Sequence, residues 1–117
     1  MQSLVWYAKT NKSLPMFSDG FEFDELNTII NVVCKYFGMS IETMESKTRK
    51  RYVVIPRQFI HYFARFKTAH SLSVIGSMAG QKDHSTVSSS IKTINDLLLF
   101  DTQIKRDYKN LNALLCQ

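Results

Sequence analysis

Apolar residues return at three- and four-residue spacings along this chain from Leu26 to Leu115, in stripes only a few helical turns long. A capping side chain, a glycine or a proline stands between each stripe and the next. Such a pattern restricts the chain to short amphipathic helices packed against one another. Leu26, Ile29, Ile30, Val33 and Phe37 trace the first stripe, with Asp24 placed to cap its start and Gly38 to close its end. Cys34 lies beside that stripe as a small core residue. A short helical turn follows Ser40 through Glu42, Met44 and Glu45. Pro56 suits the first position of the next helix, where Phe59, Ile60, Phe63 and Ala64 form one face toward Thr68. Ser71 caps a short helix bearing Leu72, Ile75 and Ala79, broken at Gly80. A longer helix opens near Asp83 with Val87, Ile91, Ile94, Leu97 and Leu98, and Asp101 caps a last one with Ile104, Tyr108, Leu111 and Leu115. Nothing alternates convincingly as a sheet strand. The fold class is therefore all-α, a bundle of about five or six short helices.

Residues 1–20 depart from this pattern. Trp6, Tyr7, Met16 and Phe17 are scattered among Asn11, Lys12, Pro15 and Asp19-Gly20 without a sustained period. The stretch reads as an irregular arm, with Trp6 and Tyr7 available to pack on the domain and a short strand at 3–8 as the other option. Residues 21–117 then form one domain, the usual outcome for a chain of 117 residues. No apolar run reaches the roughly 20 residues that span a bilayer, and no secretory signal pattern opens the chain. The two cysteines, Cys34 and Cys116, are too few for a disulfide framework or a metal site. The expected setting is cytoplasmic, with reduced thiols and no membrane partner.

Charge is placed unevenly. The formal net charge is +5, but the window from Ser46 to Lys82 holds eight basic residues and no acidic one. That window carries +8 and the remainder of the chain −3. A solvated face normally mixes both signs, so the lopsided stretch reads as a surface that tracks phosphates, with affinity that falls steeply as salt rises. Arg57, read as part of the first helical turn after Pro56, stands where a helix dipole disfavours a cation, which points to an external phosphate.

Residues 71–98 have the layout of a helix-turn-helix, with Gly80 at the turn and a second helix whose first residues are polar and small. Second helices of this kind lie in the major groove with their first turn against the base edges. Asp83, His84, Ser85 and Thr86 supply suitable chemistry: a carboxylate to accept from cytosine, hydroxyls for several edges, and a methyl for thymine. Ser88, Ser89 and Ser90 are small enough to let the helix approach a duplex wall.

Three blocks make the motif more specific. Ser46-Lys47-Thr48-Arg49-Lys50-Arg51 runs into Pro56-Arg57-Gln58; His70-Ser71-Leu72 leads to Ile75-Gly76; and Gly80-Gln81-Lys82-Asp83-His84-Ser85-Thr86-Val87 follows. Together, over residues 24–111, they closely resemble the C-terminal DNA-binding domain of the bacterial chromosomal replication initiator DnaA. The resemblance implies that Arg49 enters the minor groove of an A·T-rich segment, where it reads groove width and potential. It likewise implies major-groove reading by Asp83, His84, Ser85 and Thr86. For the phosphate backbone it implies contacts from Lys47, Arg57, Gln58, Arg65, Leu72, Ser73 and Lys82. The chain departs from the family pattern in three ways. Ser85 replaces threonine and loses a methyl; Lys82 replaces arginine and loses the bidentate fork; Gln81 and Ala79 replace a glycine and a phenylalanine at the turn.

Other chemistry finds no support. Gly76 to Lys82 fails as a phosphate-binding loop because Gln81 and Asp83 stand where Gly and Ser/Thr are needed. His61 and His70 have no ligand spacing with either cysteine, and no nucleophile–base set is recognisable, so neither catalysis, metal nor cofactor is expected. Phe59, Phe63 and Phe66 read as core residues, not as a base-stacking platform. The expected function is sequence-specific binding of double-stranded DNA at DnaA-box-like sites. The protein would act as a stand-alone, nucleoid-associated module without the ATPase, in a bacterium, phage or mobile element, regulating replication or transcription. It would bind DNA as a monomer, with host replication proteins as further partners. The rival readings are a protein-interaction adaptor on the same fold and an excised piece of a full-length initiator.

Overall fold

A computed structural model describes residues 18–116, and for 18–24 the backbone alone. The expected strand at 3–8 and the packing of Trp6 and Tyr7 lie outside the described residues. Six helices follow: α1 (Ser18–Phe37), α2 (Ile41–Glu45), α3 (Arg51–Lys67), α4 (Leu72–Met78), α5 (His84–Leu97) and α6 (Thr102–Leu115). No strand occurs among the described residues, and no helix is long and apolar enough to cross a membrane.

Local side chains set most of the boundaries. Ser40 accepts from Thr43 N, Ser71 from Val74 N, Asp83 from Thr86 N, and Asp101 from Gln103 N and Ile104 N, so four of the helices open on side-chain caps, with Ser71 and Asp101 serving as the sequence predicts. The end of α1 is a Schellman turn: Gly38 adopts φ +70°, Gly38 N bonds to Lys35 O, and Met39 N bonds to Cys34 O.

Two boundaries differ from the sequence reading. Helix α1 starts at Ser18, so Asp24 lies inside it and the helix takes in the last three residues of the expected arm. Helix α3 starts at Arg51, not at Pro56. The run Tyr52-Val53-Val54-Ile55 has weak helix propensity, but burial of Val53 and Ile55 outweighs that preference. Pro56 is tolerated because it sits in the second turn, and Tyr52, whose carbonyl loses the proline's missing N–H, is exposed to water.

Helix α3 is the centre of the molecule. Phe59, Ile60, Phe63 and Ala64 are fully buried and meet Leu26 and Val33 of α1, Met44 of α2, Ile75 of α4, Val87 and Ile94 of α5, and Leu111 of α6 in one core. Phe37, Phe59, Phe63 and Tyr108 stack in series with centroids 5.9, 6.0 and 5.5 Å apart. Phe59 and Phe63 are thus core residues as expected, but Phe66, near the C-terminal end of α3, is 61% exposed, with its ring tilted against Tyr62 at a centroid distance of 4.8 Å.

The helix-turn-helix turn depends on two glycines. Gly76 lies under the returning chain: Lys82 N donates to Gly76 O at 2.8 Å, and a Cβ at Gly76 would stand 2.1 Å from Lys82 O. Gly80 takes φ +99°, where a Cβ would also meet the Arg57 side chain at 3.1 Å. Gln81 follows at φ +53°, a left-handed conformation in a residue that has a Cβ. We expect Gly76→Ala to lower stability by about 2–3 kcal/mol, because backbone must move. Gly38→Ala, with open space around it, should cost only about 1 kcal/mol. Urea midpoints of the two variants check the difference; equal midpoints would mean that the turn does not pack on α4 as described.

Candidate nucleic-acid interface

The basic loop between α2 and α3 folds back over α3 because Arg57 holds it there. Arg57 is only 6% exposed; its Nε donates to Met44 O at 2.8 Å and its Nη2 to Ser46 O at 2.9 Å. Its position in α3 is the seventh residue, not the first turn, so the argument from the helix dipole does not apply. This arginine is an internal tie, and burial pushes its pKa below the ordinary arginine value while leaving it charged.

The tied loop forms one wall of a cleft of about 430 Å³. Lys47, Thr48 and Arg49 line that wall, Gln58 and His61 of α3 the floor, and Lys82 and Thr86 the opposite side. Lys47 and Arg49 are exposed, while Lys82 is half-buried. Burial lowers the Lys82 pKa, and the neighbouring charges of Arg57, Arg49 and Lys47 lower it further. Arg51–Asp101 at 3.7 Å and Lys92–Asp96 at 3.3 Å form ion pairs away from the cleft. No carboxylate among the described residues pairs with any of these four cleft cations. The cleft is a field of one sign without an internal counter-charge.

Helix α5 presents its first turn beside this field. Asp83, His84, Ser85 and Thr86 are all exposed, and no segment of the described chain covers them. Asp83 caps the helix through Oδ1 to Thr86 N at 2.9 Å. That bond holds its carboxyl below the usual carboxylate range, so it stays ionised and fixed in one orientation. Thr86 and Arg49 open onto the same cleft.

The structure does not bring all the expected residues together. Arg65 is exposed two turns beyond Arg57 and does not line the cleft; Ser73 is exposed at the start of α4, and Leu72 beside it packs partly on the core. Gln58 lines the cleft, with its Oε1 buried and unpartnered. Ser88 and Ser89 are exposed on α5, but Ser90 is 4% exposed and turned inward, which corrects its reading as part of the approach surface. The spacing shows why: Ser90 stands three residues after Val87 and four before Ile94, on the buried stripe. Sequence reasoning also passed over His61, a fully buried residue of the cleft floor one helical turn after Arg57 on the same face.

Residues 26–94 match the family described as the bacterial DnaA protein helix-turn-helix. The chain belongs to this family. It is 41% identical over 90 residues to a chromosomal replication initiator protein DnaA of Flavobacterium psychrophilum, 40% to that of Bacteroides fragilis and 37% to that of Bacteroides thetaiotaomicron. Each match covers 77% of this chain and 19% of the relative, so the chain spans about a fifth of the length of the DnaA proteins it matches. The matched residues contain all of α2 to α4, the basic loop and the first turns of α5, so the whole cleft lies inside the family domain.

Two outcomes follow from this geometry. Arg57→Met removes two charge-assisted bonds to partly buried carbonyls and should lower stability by about 3 kcal/mol in urea titration. For His61, burial holds the folded-state pKa below 6.5. Above that pH both folded and unfolded forms are neutral. Below it the unfolded chain gains a proton that the folded chain refuses, so the stability this group contributes is lost as pH falls. Melting temperature should therefore drop more steeply from pH 7 to pH 5.5 in the wild type than in His61→Met. Parallel slopes would show that this ring is not buried neutral.

Proposed function

We propose that this chain binds double-stranded DNA in a sequence-specific way at DnaA-box-like sites, and that it acts by occupying them in the control of replication or transcription. One observation carries the reading: the exposed first turn of α5 and the Arg49 loop open onto one cleft whose cations have no carboxylate partner. A duplex meets this need. In this reading Asp83, His84, Ser85 and Thr86 face base edges in the major groove, Arg49 enters the adjacent minor groove, and the strand between them runs along Lys47, Gln58 and Lys82. The Gln58 amide, free at Oε1, can turn its N–H groups toward a phosphate. Arg57 contributes by holding the loop in place, while Arg65, Leu72 and Ser73 would meet the backbone at the edge of the footprint. A short asymmetric site needs only one copy of the protein.

Mobility shift with a DnaA-box duplex and a scrambled duplex tests the proposal at low and raised salt. The box should be preferred, and the preference should grow as salt suppresses general phosphate binding. Lys47→Ala should weaken both duplexes about equally and reduce the salt slope by about one. Arg49→Ala and Thr86→Ala should instead relax discrimination, each by roughly 1–3 kcal/mol. Equal, salt-insensitive binding of both duplexes would refute the proposal.

A further inference from the structure

His61 makes no contact with solvent, yet it touches three elements at once. It belongs to α3; its Nε2 lies 2.8 Å from Ala79 O at the end of α4, and its Nδ1 lies 2.9 Å from Ser90 Oγ on α5. The Ala79 carbonyl can only accept, so Nε2 carries a proton. The ring is kept neutral by burial and by the positive charges of Arg57 and Lys82, which leaves Nδ1 as an acceptor. Ser90 has one hydroxyl proton and two acceptors within reach, His61 Nδ1 and Thr86 O at 3.0 Å. Given to Nδ1, it ties α5 to α3. Given to Thr86, it closes a bond inside α5 of the kind that bends helices.

Among the described residues this is the one side-chain hydrogen bond between α3 and α5; the rest of that contact is apolar, with Val87 and Ile94 against the α3 core. Apolar packing tolerates small slides and rotations, whereas a hydrogen bond of 2.9 Å has a narrow range of distance and direction. Arg57 and His61 stand one helical turn apart on α3. The first grips the basic loop through Met44 O and Ser46 O, and the second grips α5 through Ser90 and the turn through Ala79. Two adjacent side chains thus set the spacing between the Arg49 loop and the first turn of α5.

We propose that His61 is a positioning residue for DNA recognition, acting through Ser90 to fix the reading turn of α5 against the Arg49 loop. The inference rests on the DNA-binding reading above. It assigns specificity to two side chains that are themselves buried, His61 and Ser90.

The test compares wild type, Ser90→Ala, His61→Met and the double variant on box and scrambled duplexes, with melting curves to establish that each is folded. Ser90→Ala removes one oxygen from a buried site and is the variant to rely on if His61→Met unfolds. Loss of one hydrogen bond should lower the box-to-scrambled affinity ratio about three- to tenfold, leaving the scrambled affinity within about twofold of wild type. The double variant should be no worse than the more damaging single one, because both remove the same link. Variants that melt earlier but keep the wild-type ratio would overturn the inference and leave DNA recognition standing. A wild-type ratio near one would instead remove the reading on which it rests, and the inference with it.

Discussion

The Arg57 guanidinium is turned inward onto the carbonyls of Met44 and Ser46, and the placement of the loop cations Lys47 and Arg49 beside the cleft depends on that choice. A loop carrying Lys47, Arg49 and Lys50 would otherwise repel the body of α3 and Lys82. The arginine holds it down with charge-assisted bonds to neutral carbonyl oxygens, without using a carboxylate that would cancel the field. Gly80 is part of the same arrangement: its φ of +99° strains any residue with a Cβ, and a Cβ there would press on the Arg57 side chain at 3.1 Å. The helix-turn-helix turn and the basic loop are therefore fitted to one side chain from opposite sides.

Crowding like charges costs stability in the free protein: the Lys82 pKa is depressed first by burial and then further by the charges of Arg57, Arg49 and Lys47. The same crowding favours association with a polyanion, whose arrival relieves the repulsion and releases counterions. Membership in the DnaA helix-turn-helix family is consistent with this arrangement, which occupies the matched residues 26–94. The interface divides its tasks by burial: exposed residues of α5 and the loop are free to meet a partner, while Arg57, His61 and Ser90 stay inside and hold them.

Features governed by local chemistry were legible in the sequence. Ser40, Ser71, Asp83 and Asp101 cap helices because their oxygens reach backbone N–H groups two or three residues away, a relation that spacing alone reveals. The α1 stripe and Gly38 were legible for the same reason. The start of α3 was not, because tertiary burial of Val53 and Ile55 overrides their weak helix preference and the stop signal of Pro56. Ser90 was read as external, and Arg57 as a first-turn residue facing outward, because a polar residue looks external until its partner is known. Those partners lie 11, 13 and 29 residues away. His61 stayed hidden for want of any local signal.

The central claim is that the basic loop and the first turn of α5 engage one duplex together. Amide chemical-shift titration with a DnaA-box duplex measures this most directly. Residues 47–50 and 83–89 should shift in concert, with one dissociation constant and saturation at one protein per site, while α6 stays still. Movement of only one of these segments, or shifts concentrated on α6, would contradict the account.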